Sequence, residues 1–205
     1  MSTVEIKSLD TKDTEKIIEI FSSAFEKYPL MQFLFGDAYK QSIKHLIELM
    51  CHEVSVGDGF FLGGFAEGKL QGIAFVTPPE KANNDRDAQS KPTPSEEEFA
   101  RLIGEEALIR VEGYLNLKKA NKPNQPHFYI NALAVDPQSQ KKGIGRALLS
   151  QVHKISEENF ESRGVALDTQ TQNNVDYYQH FGYGINSTAE LQSIQNWFMF
   201  RPDVT

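Results

Sequence analysis

Hydrophobic positions in this chain recur with two different periods, and the changes between them mark out its elements. Val4 to Lys7 reads as a short strand. Ile17, Ile18, Phe21, Ala24 and Phe25 fall three and four apart, the spacing of one helical face, with capping residues before them at Asp10 to Asp13. Tyr28-Pro29 is expected to end that helix, because proline disfavours helical dihedrals at the residue before it. A second helix is expected from about Asp37 to Val54, stopped by Gly57-Asp58-Gly59. Phe60 to Ala66 and Leu70 to Val76 read as two strands joined at Glu67-Gly68-Lys69, a hairpin signal.

From Pro78 to about Glu97 almost nothing apolar remains, which predicts a mobile loop or insertion. Helical spacing returns over Phe99 to Lys119, and an extended run follows from His127 to Val135. A helix from about Gly143 to Glu158 presents Ile144, Ala147, Leu148, Val152 and Ile155 on one face. A strand (Gly164 to Thr169), a short helix (Asn174 to Phe181) and two strands near Tyr183 and Trp197 complete the pattern. The whole reads as one mixed α/β domain over residues 1–205, with no internal repeat.

Charge and cysteine usage narrow the partners. A formal net charge of −7 gives no basic field for a nucleic-acid backbone, so no nucleic-acid partner is expected. It is compatible with a cationic acceptor. No apolar run approaches the ~20 residues that span a bilayer, and the first residues lack a signal-peptide pattern, so no membrane association is expected. Cys51, the only cysteine, excludes an internal disulfide framework and a zinc cluster of several thiolates. No metal site and a reducing, cytoplasmic location are expected.

The chemistry is concentrated in the last third. The run Asp136-Pro137-Gln138-Ser139-Gln140-Lys141-Lys142-Gly143-Ile144-Gly145-Arg146 joins a strand to a helix. The first turn of a helix carries N–H groups without internal partners, and the macrodipole adds about half a positive charge there. Glycines at 143 and 145 let the backbone approach an anion closely, and Lys141, Lys142 and Arg146 add mobile positive charge. The dinucleotide fingerprint fails because Leu148 stands at the third glycine position, and Asp168 alone is weak evidence for a ribose contact. The P-loop pattern is absent.

What the segment does match is Gln-x-x-Gly-x-Gly, as Gln140-Lys141-Lys142-Gly143-Ile144-Gly145 after Leu133-Ala134-Val135-Asp136-Pro137. About thirty residues on, Asn174-Val175-Asp176-Tyr177-Tyr178-Gln179-His180-Phe181-Gly182-Tyr183 has the form Asn-x-x-[Phe/Tyr]-Tyr-x-x-x-Gly-[Phe/Tyr]. In both segments the chain resembles the GCN5-related N-acetyltransferase (GNAT) superfamily, well over residues 126 to 200 and more loosely before them. The resemblance implies a single α+β domain: a mixed, largely antiparallel twisted sheet of six to seven strands with helices on both faces. It implies acetyl-CoA as co-substrate and direct transfer of its acetyl group to a primary amine in a ternary complex, by a monomer or homodimer. The acceptor is a small molecule or a peptide.

The same resemblance distributes the roles. Backbone groups of Leu133, Ala134 and Val135 meet the pantetheine arm, and the loop from Gln140 through Lys141, Lys142, Gly143, Ile144 and Gly145 to Arg146 holds the pyrophosphate. Asn174 bonds the pantetheine arm or merely caps its helix. Tyr178 gives a proton to the leaving thiolate, or is with Tyr177 a helix-face aromatic. Tyr129 and Asn131 stand where relatives carry a base, but neither is basic at neutral pH, so they are assigned to acceptor binding. Strand alternation would put His127, Tyr129, Asn131 and Leu133 on one face. A water relay is the expected base, with His127 an outside candidate. The aromatic run Phe25 to Phe35, with Glu26 and Asp37, is the expected acceptor side. A catalytically silent acetyl-CoA sensor or interaction module, and transfer of another acyl group, are the alternatives.

Overall fold

The computed structural model describes residues 3–57, 59–80 and 93–204. Seven strands form one sheet in the order β1-β2-β3-β4-β5-β7-β6. They are β1 (Glu5–Leu9), β2 (Phe60–Ala66), β3 (Lys69–Thr77), β4 (Phe128–Val135), β5 (Gly164–Thr169), β6 (Gly184–Leu191) and β7 (Ile194–Pro202). Every neighbouring pair is antiparallel except β4 with β5. The connection between those two parallel strands is helix α5 (Ile144–Glu157), as a parallel pair requires a crossover.

The helices α1 (Thr14–Phe25), α2 (Pro29–Phe35), α3 (Tyr39–Ser55) and α4 (Pro94–Asn121) share one core with sheet residues Phe61, Ile73, Phe75, Ala132 and Ala134. On the other face α5 and α6 (Gln172–Gln179) bury Ile144, Leu148, Val152, Val175 and Tyr178 with Leu62, Ala74, Ile130, Val165 and Leu167. Because both faces are covered, Phe60 to Ala66 and Leu70 to Val76 read as continuous apolar runs rather than alternating ones.

Three expectations need correction. Pro29 does end α1, but it also opens α2: proline suits the first helical position, where its missing N–H would be unpaired anyway. The polar stretch up to Glu97 is not loop throughout, and its residues 81–92 lie outside the described residues. Thr93 caps α4 in a reciprocal capping box with Glu96, so the acidic run Glu96-Glu97-Glu98 is a favourable first turn. Strand alternation also fails in β4. Its register to β3 steps from Phe75↔Ala132 to Val76↔Ile130, leaving Asn131 as a bulge. Past the bulge Ala132 and Ala134 face the α1–α4 core, and Leu133 packs with the α5 core.

Candidate active site

The parallel pair opens like a V. β4 and β5 pair at Phe128↔Val165, Tyr129↔Ala166 and Ile130↔Leu167, and there the ladder stops. β4 continues to Val135 paired with β3, so from Asn131 onward its side towards β5 has no strand partner among the described residues. Leu133, Ala134 and Val135 line that opening. A pleated edge with free N–H and C=O groups inside a fold calls for a ligand with amide-like groups of its own.

At the mouth of the V, Asp136 shapes the turn into α5. Its carboxylate accepts from the Gln138 N–H at 2.8 Å, and its carbonyl accepts from the Ser139 N–H at 2.7 Å. Lys141 takes φ 63° and Gly143, the residue before α5, takes φ 88°. With both in the left-handed region, the chain curls so that the first turn of α5 faces outward. Gln140, Lys141, Lys142 and Arg146 are exposed around it, while Ile144 is buried beneath.

Ile144 sits on a pair of glycines that face each other across the β2–β3 hairpin, Gly64↔Gly72. A Cβ on Gly72 would stand 2.6 Å from Ile144 Cγ2, and one on Gly64 would stand 2.8 Å from it. Only bare backbone there lets α5 dock this close, so the hairpin sets the height of the first turn of α5. A Cβ on Gly145, one residue on, would stand 3.0 Å from the Tyr177 hydroxyl.

Helix α6 forms the other lip. Thr171 is its cap, accepting from the Asn174 N–H at 3.3 Å, so Asn174 is not the capping residue. The Asn174 amide is instead turned inward. It donates to Thr169 Oγ1 at 3.0 Å and to the Tyr28 hydroxyl at 3.4 Å. Tyr28 comes from the corner between α1 and α2, and its hydroxyl also accepts the Gln170 N–H at 3.0 Å. Tyr178 is buried between Tyr177 and Tyr183, with ring centroids 5.5 and 5.6 Å away. Burial raises its hydroxyl far above the ordinary phenol range, which keeps the proton on oxygen. The hydroxyl makes no hydrogen bond among the described residues.

The apex of the V is polar. On the β4 side the Asn131 carboxamide accepts from Lys118 Nζ of α4 at 2.6 Å and donates to Thr77 Oγ1 at 3.2 Å. Lys118 also lies 4.1 Å over the Tyr129 ring, and burial lowers its ammonium to about 8. On the β5 side Asp168 accepts three hydrogen bonds. Tyr129 donates to Oδ1 at 2.6 Å, Tyr114 of α4 to Oδ2 at 2.8 Å, and Gln170 Nε2 to Oδ2 at 2.7 Å. Gln170 is steadied by the buried Asn196 at 2.9 Å. Burial, and then the neighbouring carboxylate, push the Tyr129 and Tyr114 hydroxyls well up.

The structure thus brings Tyr129, Asn131, Leu133, Ala134 and Val135 to one side of the opening, with the loop to Arg146 at its mouth and Asn174 and Tyr178 opposite. His127 lies apart, before the paired end of β4, with its Nδ1 on the Gln125 carbonyl at 2.6 Å. Glu26 pairs with Lys40 at 3.6 Å on the surface. The residues that sequence reasoning left without a site role are Tyr114, Lys118 and Gln170; Tyr28 was read only as one member of the aromatic acceptor-side run, and Asp168 was weighed only for a ribose. Their one legible signal was Asp168 and Gln170 at the end of an apolar strand, where side chains meet the space beyond the sheet.

Comparison with known proteins agrees with this geometry. Residues 98–185 match the family model of the acetyltransferase (GNAT) domain. A histone acetyltransferase HPA2 and related acetyltransferase from Corynebacterium glutamicum superposes with a TM-score of 0.73 at 18% identity, over 100% of this chain and 98% of that one. The Drosophila melanogaster polyamine N-acetyltransferase, which forms N-acetylagmatine, gives 0.67 at 17% identity over 97% and 98%. The PaiA N-acetyltransferase of Thermoplasma acidophilum, solved with coenzyme A, gives 0.58 at 16% over 98% and 99%. This chain has the fold of the GNAT acetyltransferases, and its residues 98–185 are similar to their domain model, as the two sequence segments implied.

Proposed function

We propose that the protein binds acetyl-CoA in the opening between β4 and β5 and transfers the acetyl group to a primary amine of a small molecule or peptide. The observation that carries this reading is the parting of those two strands at Ile130↔Leu167, with the first turn of α5 at its mouth. The edge from Leu133 to Val135 that faces away from β3 suits the amides of a pantetheine arm, and the exposed turn from Gln140 to Arg146 suits a pyrophosphate. A free N–H on that edge would stabilise the oxyanion as the thioester is attacked. Asn174 offers an inward amide, and Tyr178 holds a proton for the departing thiolate. The free thiol of Cys51 suits a reducing, cytoplasmic setting.

A melting experiment tests this without knowledge of the acceptor. A ligand bound only by the native state stabilises it by about 2.7 kcal/mol at a hundredfold excess over Kd. At roughly 2–4 °C per kcal/mol for a chain of this size, saturating acetyl-CoA should raise Tm by about 5–10 °C. Desulfo-CoA should keep most of the shift, and ATP and NAD should give much less at matched concentration. A larger shift with NAD than with acetyl-CoA would remove the reading.

A further inference from the structure

An amine acceptor arrives protonated, and a base must take its proton before nitrogen can attack. An alkyl ammonium with a pKa near 10.4 is handicapped by roughly 4–5 kcal/mol at neutral pH. The positions first considered, Tyr129 and Asn131, supply no base. They do lead to one. Tyr129 points its hydroxyl at Asp168 Oδ1, 2.6 Å away.

Asp168 is the first residue of β5 beyond the last rung shared with β4, so it stands at the apex of the opening on the β5 side as Asn131 does on the β4 side. All three of its partners are donors, the arrangement of an ionised carboxylate. A carboxylate offers about four lone-pair positions. Oδ2 receives Tyr114 and Gln170, and Oδ1 receives Tyr129 alone among the described residues. One position on Oδ1 is therefore open, and the side chain is partly exposed while Tyr129 and Gln170 are buried. The carboxylate is held from three directions, with one acceptor position unfilled among the described residues.

We infer that Asp168 is the catalytic base and the anchor of the acceptor, binding a primary alkylammonium at the open position of Oδ1 and taking its proton. This rests on the acetyltransferase reading above. The ammonium N–H proton passes to Oδ1, and the freed nitrogen lone pair forms the C–N bond to the thioester carbonyl. On collapse the C–S bond breaks, nitrogen loses its second proton to water, and the thiolate takes the Tyr178 proton. Asp168 then releases its proton to solvent and Tyr178 is reprotonated. The sum is ammonium plus thioester giving amide, thiol and one proton. Tyr114, Tyr129 and Gln170 act as positioning residues, because they touch the carboxylate rather than the reacting atoms.

The test is Asp168→Asn with n-butylamine as probe acceptor and free-thiol release as readout. At pH 7 the variant should lose about 10²–10⁴-fold in kcat/KM for the amine, while its acetyl-CoA melting shift stays as in the wild type. Its rate should then climb with pH towards the pKa of the amine, where free base is abundant, while the wild type levels off. Loss that is equally deep at high pH, or no loss, would overturn the assignment. So would a wild type that binds acetyl-CoA yet acetylates no n-butylamine. A wild type with no acetyl-CoA shift would instead sink the acetyltransferase reading itself. Tyr114→Phe supplies a second handle should Asp168→Asn fold poorly. Removing one donor from Oδ2 loosens the carboxylate, so kcat for n-butylamine should fall and its KM rise while the acetyl-CoA melting shift stays as in the wild type. Unchanged amine kinetics would count against Asp168 as the base.

Discussion

The two ends of the opening between β4 and β5 are built from different material. Its mouth is backbone: the first turn of α5, the left-handed residues Lys141 and Gly143, and the unpaired edge from Leu133 to Val135. All of it comes from one stretch of chain. Its apex is side chain: Lys118, Thr77, Asn131, Tyr129, Tyr114, Asp168 and Gln170, contributed by α4, β3, β4 and the end of β5. A backbone site demands particular conformations at particular spacings, and it suits a part of the ligand that never varies. A side-chain site can be re-lettered residue by residue, and it suits the part that does.

Three substitutions probe that division. The largest effect is expected at the lip facing the apex. Tyr178→Phe removes a proton donor and little volume, so turnover should fall about 10²–10⁴-fold with acetyl-CoA affinity nearly unchanged. Steady-state rates beside calorimetry would show it, and equal losses in both would merge the two ends into one. Next comes the mouth. Gly145→Asp sets a Cβ 3.0 Å from the Tyr177 hydroxyl and a carboxylate where the proposed pyrophosphate would sit. Acetyl-CoA affinity should drop by about 100-fold or more, in a protein whose circular dichroism is unchanged. The smallest effect is expected at Lys118, whose ammonium is lowered to about 8 by burial. Below that pH it is a cation beside the acceptor, and above it is neutral. The KM for n-butylamine should therefore fall by a few-fold as pH rises through 8, and Lys118→Met should flatten that change without touching acetyl-CoA binding.

The same division explains what could be read from the sequence. The mouth was legible from Gln140 to Gly145, because a tight left-handed entry to a helix restricts residue choice locally. The strands were legible as apolar runs between turn residues, and the long helices from their period. Helix α2 was not, because a proline that stops one helix can equally start the next, and only packing of Leu30 and Leu34 against the core decides. The bulge at Asn131 was invisible, since it is a property of the pairing with β3 rather than of β4 itself. Missing it put Leu133 on the wrong face. The apex escaped for a related reason. Tyr114 and Asp168 are 54 positions apart, and no local pattern links a tyrosine on a helix to a carboxylate at a strand end. Tyr28, 146 positions from Asn174, was seen only as one aromatic among many.

The glycine pair under Ile144 carries a consequence for how such a chain can change over generations. Gly64 and Gly72 are not interchangeable with alanine while isoleucine stands at 144, because the added carbon would fall 2.6 to 2.8 Å from its methyl group. Ile144 can shrink first, leaving a small void that weakens the docking of α5; only then can Gly64 gain a side chain, while at Gly72 the Ala134 carbonyl oxygen, 3.1 Å from an added Cβ, must give as well. The reverse order passes through a clash. Substitution paths through these three positions are therefore one-way streets, and a lineage that has filled the socket cannot restore the isoleucine without first emptying it again.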